Sequence, residues 1–336
     1  MASEEKRRSA VTRPDSEGAT GGTAAASPPI ELRGLVKRYG DLVAVDDVDL
    51  TVEAGDVYGY LGPNGAGKTT SLRMMLGLIR PTAGSVRLFG RDPMASVHAL
   101  DGVAGFVEAP RFYPYLTGRR NLDLLASFDG GGARERIADA LDTVELTARA
   151  KDKVGGYSHG MRQRLGIAGA LLREPRLLLL DEPATGLDPA GMRDMRRLIR
   201  RLADDGMTVL LSSHLMPEVE ELCNRVAIVR SGAIVYEGAI ADLKRQAGAT
   251  YRLSTTDDSR ALGVCRAQRG IAGARVADDG AIEFGADDED AVAELSLALV
   301  EAGALIRSLA PQTATLEDLF FKLTEGEPEP ETAVPA

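Results

Sequence analysis

The sequence predicts an α/β fold with a helical insertion, followed by a small α+β domain toward the C-terminus. Short apolar runs of strand length alternate with amphipathic stretches at helical spacing, which is typical of a sheet with helices packed on its faces. The run Leu177–Leu180 is entirely apolar, as in a parallel strand that is buried on both sides. Residues 118–175 have a mostly helical pattern, broken by glycines at 130–132 and 155–156, and therefore form the insertion.

The composition changes along the chain and divides it into four parts. Residues 1–29 are rich in Ala, Ser, Gly, Thr and Pro and carry almost no large apolar group, so we expect a disordered tail. Residues 30–248 form the main domain, with the helical subdomain at about 110–175. Residues 249–325 have strand and helix signals of their own and form an accessory domain. Residues 326–336 alternate Glu and Pro and are expected to be a second disordered tail.

The elements follow in order from the spacing of apolar side chains. Val48, Leu50 and Val52 alternate with polar residues, which predicts a half-buried strand. Further strands of the main domain are expected at Val57–Leu61, Ser85–Phe89, Leu177–Leu180, Val209–Leu211 and Val226–Val229. Its helices are expected where Leu72, Met75, Leu76 and Ile79 recur and over residues 190–204. The accessory domain is predicted to have strands at 251–254, 281–284 and 304–309, a helix at 288–302, and a last helix with Leu316, Leu319, Phe320 and Leu323 on one face.

The overall composition is that of a soluble globular protein. Hydrophobic residues make up 44% of the chain and charged residues 27%. The chain contains no apolar run long enough for a membrane span, and its charged N-terminus lacks the apolar segment of a secretory signal. Cys223 and Cys265 lie far apart with no metal-ligand spacing, which favours two buried thiols in a reducing cytoplasm.

The charge distribution argues against nucleic acid as a partner. The net charge is −10, and residues 250–325 carry 7 Lys/Arg against 14 Asp/Glu, whereas residues 1–249 sum to zero. No part of the chain has the basic excess that proteins binding a phosphate backbone usually carry.

One glycine-rich segment matches the phosphate-binding pattern G-x-x-x-x-G-K-[ST] and lies between a predicted strand and a predicted helix. Glycines allow the backbone to wrap closely around a polyphosphate at the positive end of the helix dipole. Lys68 supplies a positive charge for the β and γ phosphates, and the Thr69 hydroxyl is a suitable Mg²⁺ ligand. The segment consists of Gly62, Pro63, Asn64, Gly65, Ala66, Gly67, Lys68, Thr69 and Thr70.

Two further segments place polar side chains at strand ends, where open α/β sheets bind ligands. Asp181 and Glu182 follow the apolar run Leu177–Leu180. Asp181 is suited to hold Mg²⁺, and Glu182 to polarise an attacking water as a general base. His214 follows another apolar strand and can hydrogen-bond the γ-phosphate or that water, although a purely structural histidine is the alternative.

The segment Tyr157–Met161, Tyr-Ser-His-Gly-Met, is similar to the signature sequence of the ATP-binding cassette (ABC) transporter family, usually written LSGGQ. Ser158 and Gly160 are retained, and the other three positions differ. Ser158 can cap a following amphipathic helix, whose N-terminus is then a second anion site. Residues 30–245 as a whole resemble the ATP-binding subunit of an ABC transporter.

This resemblance implies roles for individual residues. Tyr39 resembles the aromatic residue that stacks on adenine, with a core tyrosine as the alternative. Glu182 corresponds to the family's catalytic glutamate and His214 to its switch histidine. The D-loop, residues 186–189, includes Asp188 and resembles the segment that contacts the partner subunit's site. Residues of the signature are expected to bind the nucleotide held by the opposite subunit; these are Ser158, Gly160 and Met161.

Glu108 departs from the family pattern, which usually has a glutamine at this place after the strand 103–107. A carboxylate there can still ligate Mg²⁺, but it adds negative charge beside the phosphates. The surrounding Glu-Ala-Pro-x-Phe-Tyr-Pro pattern and the segment Leu316–Phe320 resemble the bacitracin- and daunorubicin-resistance type of exporter ATPase. The aromatic residues of the segment 108–115 are expected either to dock a cytoplasmic helix of a membrane subunit or to pack inside the insertion.

The resemblance implies an ATP hydrolase that uses ATP and Mg²⁺, with direct attack by water and no covalent intermediate. Two copies are expected to close head-to-tail around two nucleotides, each copy contributing to both sites. The expected partner is a membrane-spanning permease subunit, which places the chain at the cytoplasmic face of the membrane as a peripheral subunit of an exporter of a drug, antibiotic or lipid-like compound. A soluble ABC-type ATPase without a membrane partner and an ABC importer ATPase remain as alternatives.

Overall fold

The computed structural model describes residues 27–129, 132–246, 249–277 and 279–312, together with Leu316 and Leu319. The predicted C-terminal tail and nearly all of the predicted N-terminal tail lie outside these residues, as do Phe320 and Leu323 of the predicted last helix. Among the described residues, no helix combines the length and the apolar character that a bilayer crossing requires.

The strands and helices alternate through the first two thirds of the chain. The strands there are β1 (Ile30–Tyr39), β2 (Leu42–Val52), β3 (Val57–Leu61), β4 (Ala83–Leu88), β5 (Val103–Phe106), β6 (Leu177–Asp181), β7 (Thr208–Ser213), β8 (Arg225–Arg230) and β9 (Ala233–Ala239). The helices there are α1 (Lys68–Met75), α2 (Gly118–Phe128), α3 (Ile137–Thr143), α4 (His159–Leu171), α5 (Pro189–Asp204), α6 (Met216–Leu222) and α7 (Ile240–Gln246). The remaining elements are β10 (Ala249–Thr255), α8 (Asp258–Ala267), β11 (Ile271–Val276), β12 (Ile282–Ala286), α9 (Glu289–Glu301) and β13 (Ile306–Gln312).

The central sheet has six strands in the order β5-β6-β7-β3-β8-β9. Its first five strands are parallel, and β9 pairs antiparallel with β8. The carboxyl ends of β6, β7 and β3 therefore lie side by side at one edge of the sheet. A separate antiparallel sheet with the order β2-β1-β4 packs beside it, and residues 249–312 form a third, antiparallel sheet with the order β11-β12-β10-β13.

The apolar run Leu177–Leu180 is buried on both faces, as its sequence predicts. Leu177 and Leu179 belong to the apolar cluster that includes β1, β2 and α1, whereas Leu178 and Leu180 belong to the cluster that includes the helical insertion. A strand whose side chains alternate between two cores fixes the position of the acidic residues that follow it.

The last described residues pack on the main domain. Leu316 and Leu319 are buried in the same cluster as Val219 and Leu222 of α6 and Leu243 of α7. The four-stranded sheet with α8 and α9 instead encloses a small cluster of its own.

Two sequence predictions differ from the structure near the first helix. Helix α1 ends at Met75 and does not continue to Ile79, because Gly77 has φ of +69° and a Cβ atom there would lie 2.9 Å from the carbonyl oxygen of Pro93. The sequence does not predict β1, because irregular pairing with β2 between Leu32 and Leu35 breaks the alternation of apolar residues.

Candidate active site

The P-loop, residues 62–70, leaves the carboxyl end of β3 and runs into α1. A Cβ atom on Gly62 would lie 2.4 Å from the carbonyl oxygen of Val229, and one on Gly67 would lie 2.3 Å from that of Ala44. Gly67 also has φ of +99° as the N-cap of α1. Both positions therefore require glycine, and they bring the chain tightly under a helix N-terminus, which favours an anion.

Lys68 is 5% exposed and its ammonium group is surrounded by oxygen atoms. Its Nζ donates hydrogen bonds to the carbonyl oxygens of Gly62 and Pro63, at 2.7 and 3.1 Å. The same atom lies 3.2 Å from Oε1 of Glu182. The lysine thus joins the P-loop to the acidic end of β6.

Asp181 is buried at the end of β6 and is tied to the neighbouring strand through Ser212. Ser212 Oγ donates to Asp181 Oδ1 at 2.6 Å and accepts from the backbone N–H of Glu182 at 3.0 Å. Ser212 is absent from the predicted site residues, although its place two positions before the histidine at the end of a strand is a signal for it. It holds the Asp181 carboxylate and the Glu182 backbone in register with β7.

The Glu182 carboxylate receives three polar contacts although its backbone is strained, with φ of +50°. Its Oε2 accepts from Thr185 Oγ1 at 2.6 Å and from His214 Nδ1 at 2.5 Å, and its Oε1 faces Lys68. Burial raises the pKa of this carboxyl, but the hydrogen bond from Thr185 and the charge of Lys68 outweigh burial, so the pKa lies below its usual value. Glu182 is therefore ionised near neutral pH, as a general base must be.

A second buried carboxyl lies behind His214. Ser213 Oγ donates to Oε2 of Glu218 at 2.9 Å, and the carbonyl oxygen of Ser213 accepts from the N–H of Gly62 at 3.2 Å. Glu218 is 3% exposed, and its Oε1 has no hydrogen-bond partner among the described residues. Burial raises its pKa, and the hydrogen bond from Ser213 and the charge of Arg196 only partly offset this effect. Through Ser213, Glu218 thus supports the turn that carries His214. The same turn contacts the P-loop through the carbonyl oxygen of Ser213.

Glu108 lies beside Asp181, but its side chain is paired elsewhere. Its backbone N–H donates to Asp181 Oδ2 at 3.4 Å, while its carboxylate forms an ion pair with Arg73 of α1. The residue has φ of +66° and its side chain is 59% exposed. The carboxylate is therefore free to turn toward a metal only if it leaves Arg73.

Tyr39 and the P-loop line one cavity of about 300 Å³. The tyrosine ring is half exposed, and Lys37 Nζ lies 5.0 Å from its centre. An exposed ring at the mouth of a phosphate-binding loop is suited to stack on a base, so the structure removes the alternative of a core tyrosine. The cavity is lined by Tyr39, Leu42, Val43, Ala44, Asn64, Gly65, Gly67, Lys68, Thr69, Thr70 and Glu182. The loop residue Ala66 instead bonds back to Pro63 and Gly232 through its backbone.

The signature residues lie on a second cavity, of about 390 Å³. Ser158 caps α4, its Oγ accepting from the N–H of Met161 at 3.2 Å. Asp188 caps α5 in the same way, accepting from the N–H of Gly191 at 2.8 Å. Ser158, Gly160 and Asp188 line this cavity together, whereas Met161 packs partly buried against the main core.

The structure therefore brings the predicted site residues together in two groups. Tyr39, the P-loop, Asp181, Glu182 and His214 form one group, linked by the contacts given above. The signature and D-loop residues form the other, and the two cavities share no lining residue. One chain thus presents a phosphate-binding group and, apart from it, a pair of helix N-termini.

Comparison with known proteins agrees with this geometry. A sequence profile of the ABC transporter family matches residues 45–185. The bacitracin transport ATP-binding protein BcrA of Bacillus licheniformis is 38% identical over 299 residues, covering 88% of this chain and 97% of the relative. The daunorubicin/doxorubicin resistance ATP-binding protein DrrA of Streptomyces peucetius is 38% identical over 310 residues, covering 88% and 92%.

Solved structures share the architecture of about two thirds of the chain. An ATP-binding subunit of an ABC transporter superposes with a TM-score of 0.58 at 28% identity, covering 65% of this chain and 92% of that one. A dimeric ATP-binding cassette in a post-hydrolysis state with bound ADP and Pi superposes with a TM-score of 0.57 at 25% identity, covering 63% and 98%. The chain therefore belongs to the ATP-binding cassettes of the ABC transporter family, and it is an ATP hydrolase.

Proposed function

We propose that this chain is the ATP-hydrolysing subunit of a membrane exporter for a drug, an antibiotic or a lipid-like compound. The observation that carries the hydrolytic part is the convergence of Lys68 and His214 on the two carboxylate oxygens of Glu182. The names of the bacitracin and daunorubicin relatives support export as the process that hydrolysis drives.

In this proposal the P-loop binds the triphosphate, and Tyr39 stacks on the adenine. Lys68 exchanges its carbonyl and carboxylate contacts for the β and γ phosphates, which leaves the Oε1 oxygen of Glu182 available to orient and deprotonate the attacking water. Before ATP binds, His214 donates to Oε2 of Glu182. When the carboxylate turns toward the water, His214 donates toward the γ-phosphate. The γ-phosphate leaves as inorganic phosphate, with no covalent intermediate.

The residues at this edge of the sheet fit a bound Mg²⁺. Asp181 is buried, with one oxygen fixed by Ser212 and the other within 3.4 Å of a single backbone donor. Thr69 lines the cavity of the P-loop. These two residues would hold Mg²⁺, with Glu108 as a third candidate, and the ion would neutralise the charge of the phosphates.

The second nucleotide contact comes from another copy of the chain. Ser158, Gly160 and Met161 present the N-terminus of α4, and Asp188 lies beside them. We propose that this surface contacts the γ-phosphate held by the P-loop of the second copy, so that ATP joins the two chains and its hydrolysis separates them.

An apolar groove of about 360 Å³ is the proposed docking surface for the permease subunit. It lies between β5, α2 and α4 and exposes Phe128 almost fully, at 86%. Phe106, Phe112 and Leu125 line its wall. An apolar groove rimmed by Arg111 and other charged side chains suits a short amphipathic helix, here a cytoplasmic helix of the permease. Docking there places the chain at the cytoplasmic face of the membrane as a peripheral subunit.

The test combines co-expression and cross-linking with a candidate permease, a polytopic membrane protein from the same organism. Phe128→Cys should form a cross-link to that protein, whereas Val97→Cys, 78% exposed at another place, should not. Inverted vesicles that contain both proteins should take up daunorubicin when ATP is added, and Glu182→Gln should abolish the uptake. ATP hydrolysis without membrane attachment would favour the soluble ATPase, and substrate movement in the opposite direction would favour the importer.

A further inference from the structure

We infer that His159 is a positioning residue for hydrolysis, which fixes the orientation of Glu182 through Thr185 of the same chain. The inference rests on the proposed role of Glu182 as the general base. His159 Nε2 lies 3.1 Å from the carbonyl oxygen of Thr185, and Thr185 Oγ1 donates to Glu182 Oε2 at 2.6 Å. These two hydrogen bonds form a continuous path from the signature to the base.

The chemistry of the first bond fixes the role of the imidazole. A carbonyl oxygen only accepts hydrogen bonds, so His159 Nε2 must carry the proton and donate it. His159 is the first residue of α4, directly after its cap Ser158, so the donor is fixed to the start of the signature helix.

The bond adds a constraint from the signature helix to a turn that contains a glycine. Thr185 is followed by Gly186, which has φ of +75° and whose added Cβ would lie 3.6 Å from His159 Nε2. The imidazole thus packs over the glycine and pins the peptide between these two residues. Glycine has the widest range of backbone conformations, so without His159 the peptide between Thr185 and Gly186 loses one of its constraints.

The orientation of Thr185 matters because Glu182 depends on it. The turn Glu182–Thr185 is closed by one backbone hydrogen bond, from Thr185 N to Glu182 O at 3.1 Å, and the threonine hydroxyl then reaches the carboxylate. A change at the start of α4 therefore moves the acceptor oxygen of the base. Contact of the signature with the second copy is in this way transmitted to the base of the same chain.

The substitutions separate positioning from simple support of the helix. His159→Ala removes the donor, His159→Gln keeps an N–H at similar reach, and Thr185→Val removes the hydroxyl that contacts Glu182. We expect His159→Ala to lower kcat about five- to tenfold, the value of one hydrogen bond, with the KM for ATP unchanged. His159→Gln should keep kcat within about twofold. In the Thr185→Val background, His159→Ala should have no further effect, because both residues act on the same carboxylate.

Two further measurements test whether a lower kcat arises from misfolding or from loss of the dimer. Thermal unfolding shows whether each variant folds, and a Glu182→Gln background shows whether His159→Ala still allows the ATP-dependent dimer, as we expect. The inference is overturned if His159→Ala has the wild-type kcat, if it raises KM or weakens the dimer instead, or if its effect multiplies with that of Thr185→Val. Absence of ATP turnover in the wild-type protein would instead contradict the proposed function, so the two failures are distinguishable.

Discussion

Lys68 Nζ lies 3.2 Å from Oε1 of Glu182 across the gap between the P-loop and the end of β6. The lysine is almost fully buried, and its other partners are two carbonyl oxygens of its own loop. A buried ammonium held by these oxygens is already positioned for phosphate oxygens, which bind it more strongly because they are charged.

Removing this ammonium should strongly weaken nucleotide binding. Lys68→Ala eliminates two charge-assisted contacts to phosphate, so affinity for ATP should fall by about 100-fold or more. Isothermal titration with a non-hydrolysable ATP analogue measures the change. Lys151→Ala, an exposed lysine of the insertion, is the matched control. Equal affinities of the two variants would refute the assignment of the P-loop.

The Glu108 carboxylate should contribute to Mg²⁺ affinity. Glu108→Gln removes a negative ligand beside Asp181, so the Mg²⁺ concentration for half-maximal hydrolysis should rise by about tenfold. Arg73→Ala frees the carboxylate from its ion pair and should lower that concentration. A Mg²⁺ titration of ATP hydrolysis measures both effects. If neither variant shifts the titration, Glu108 acts only through its ion pair with Arg73.

The raised pKa of Glu218 predicts the sign of a pH effect on stability. The folded protein holds this proton more tightly than the unfolded chain, so the stabilising contribution is present below the ordinary pKa of 4.5 and is lost as pH rises through the raised pKa. Glu218→Gln, which is neutral and similar in shape, should match the wild type in acid and exceed its melting temperature by a few degrees at alkaline pH. Thermal unfolding across this range tests it. A difference that does not widen with pH would show that folding does not raise the pKa of Glu218.

The side chain of Leu316 should stabilise the main domain. Leu316 is fully buried in the cluster that includes α6, and its N–H donates to Oε2 of Glu220 at 3.2 Å. Leu316→Ala should therefore lower the free energy of unfolding by about 2–5 kcal/mol. Urea unfolding measures this, with Leu297→Ala, 68% exposed on α9, as the control. Equal stabilities would show that Leu316 does not pack on α6.

Much of the fold follows from periodicity, because the relevant elements are strongly amphipathic or fully apolar. Leu177–Leu180 is recognisable since each of its side chains enters a core, and α5 since its apolar residues recur at helical spacing. Strands β1 and β11 are not recognisable, because irregular pairing with the next strand interrupts the alternation of apolar residues. The ends of elements depend on glycines such as Gly77, whose close contacts only the fold creates.

The candidate site divides in the same way. The P-loop, Asp181 and Glu182 are predictable because their chemistry depends on short, contiguous segments. Ser212 and Thr185 are not, because their roles depend on strand register and on a tight turn that bring single hydroxyls to the carboxylates. The pairing of Glu108 with Arg73 likewise joins residues that are far apart in the sequence.

The central claim is that one chain binds ATP and a second copy completes the site. Sedimentation velocity of the Glu182→Gln protein with Mg²⁺ and ATP tests it most directly. The account predicts a dimer. Gly160→Asp should convert it to nucleotide-bound monomers, because this substitution places a negative charge against the γ-phosphate. Gly160→Ala should leave the dimer intact, because the added Cβ would contact only Leu187, at 3.5 Å. A protein that stays monomeric when hydrolysis is blocked, or a dimer that withstands Gly160→Asp, would contradict the account.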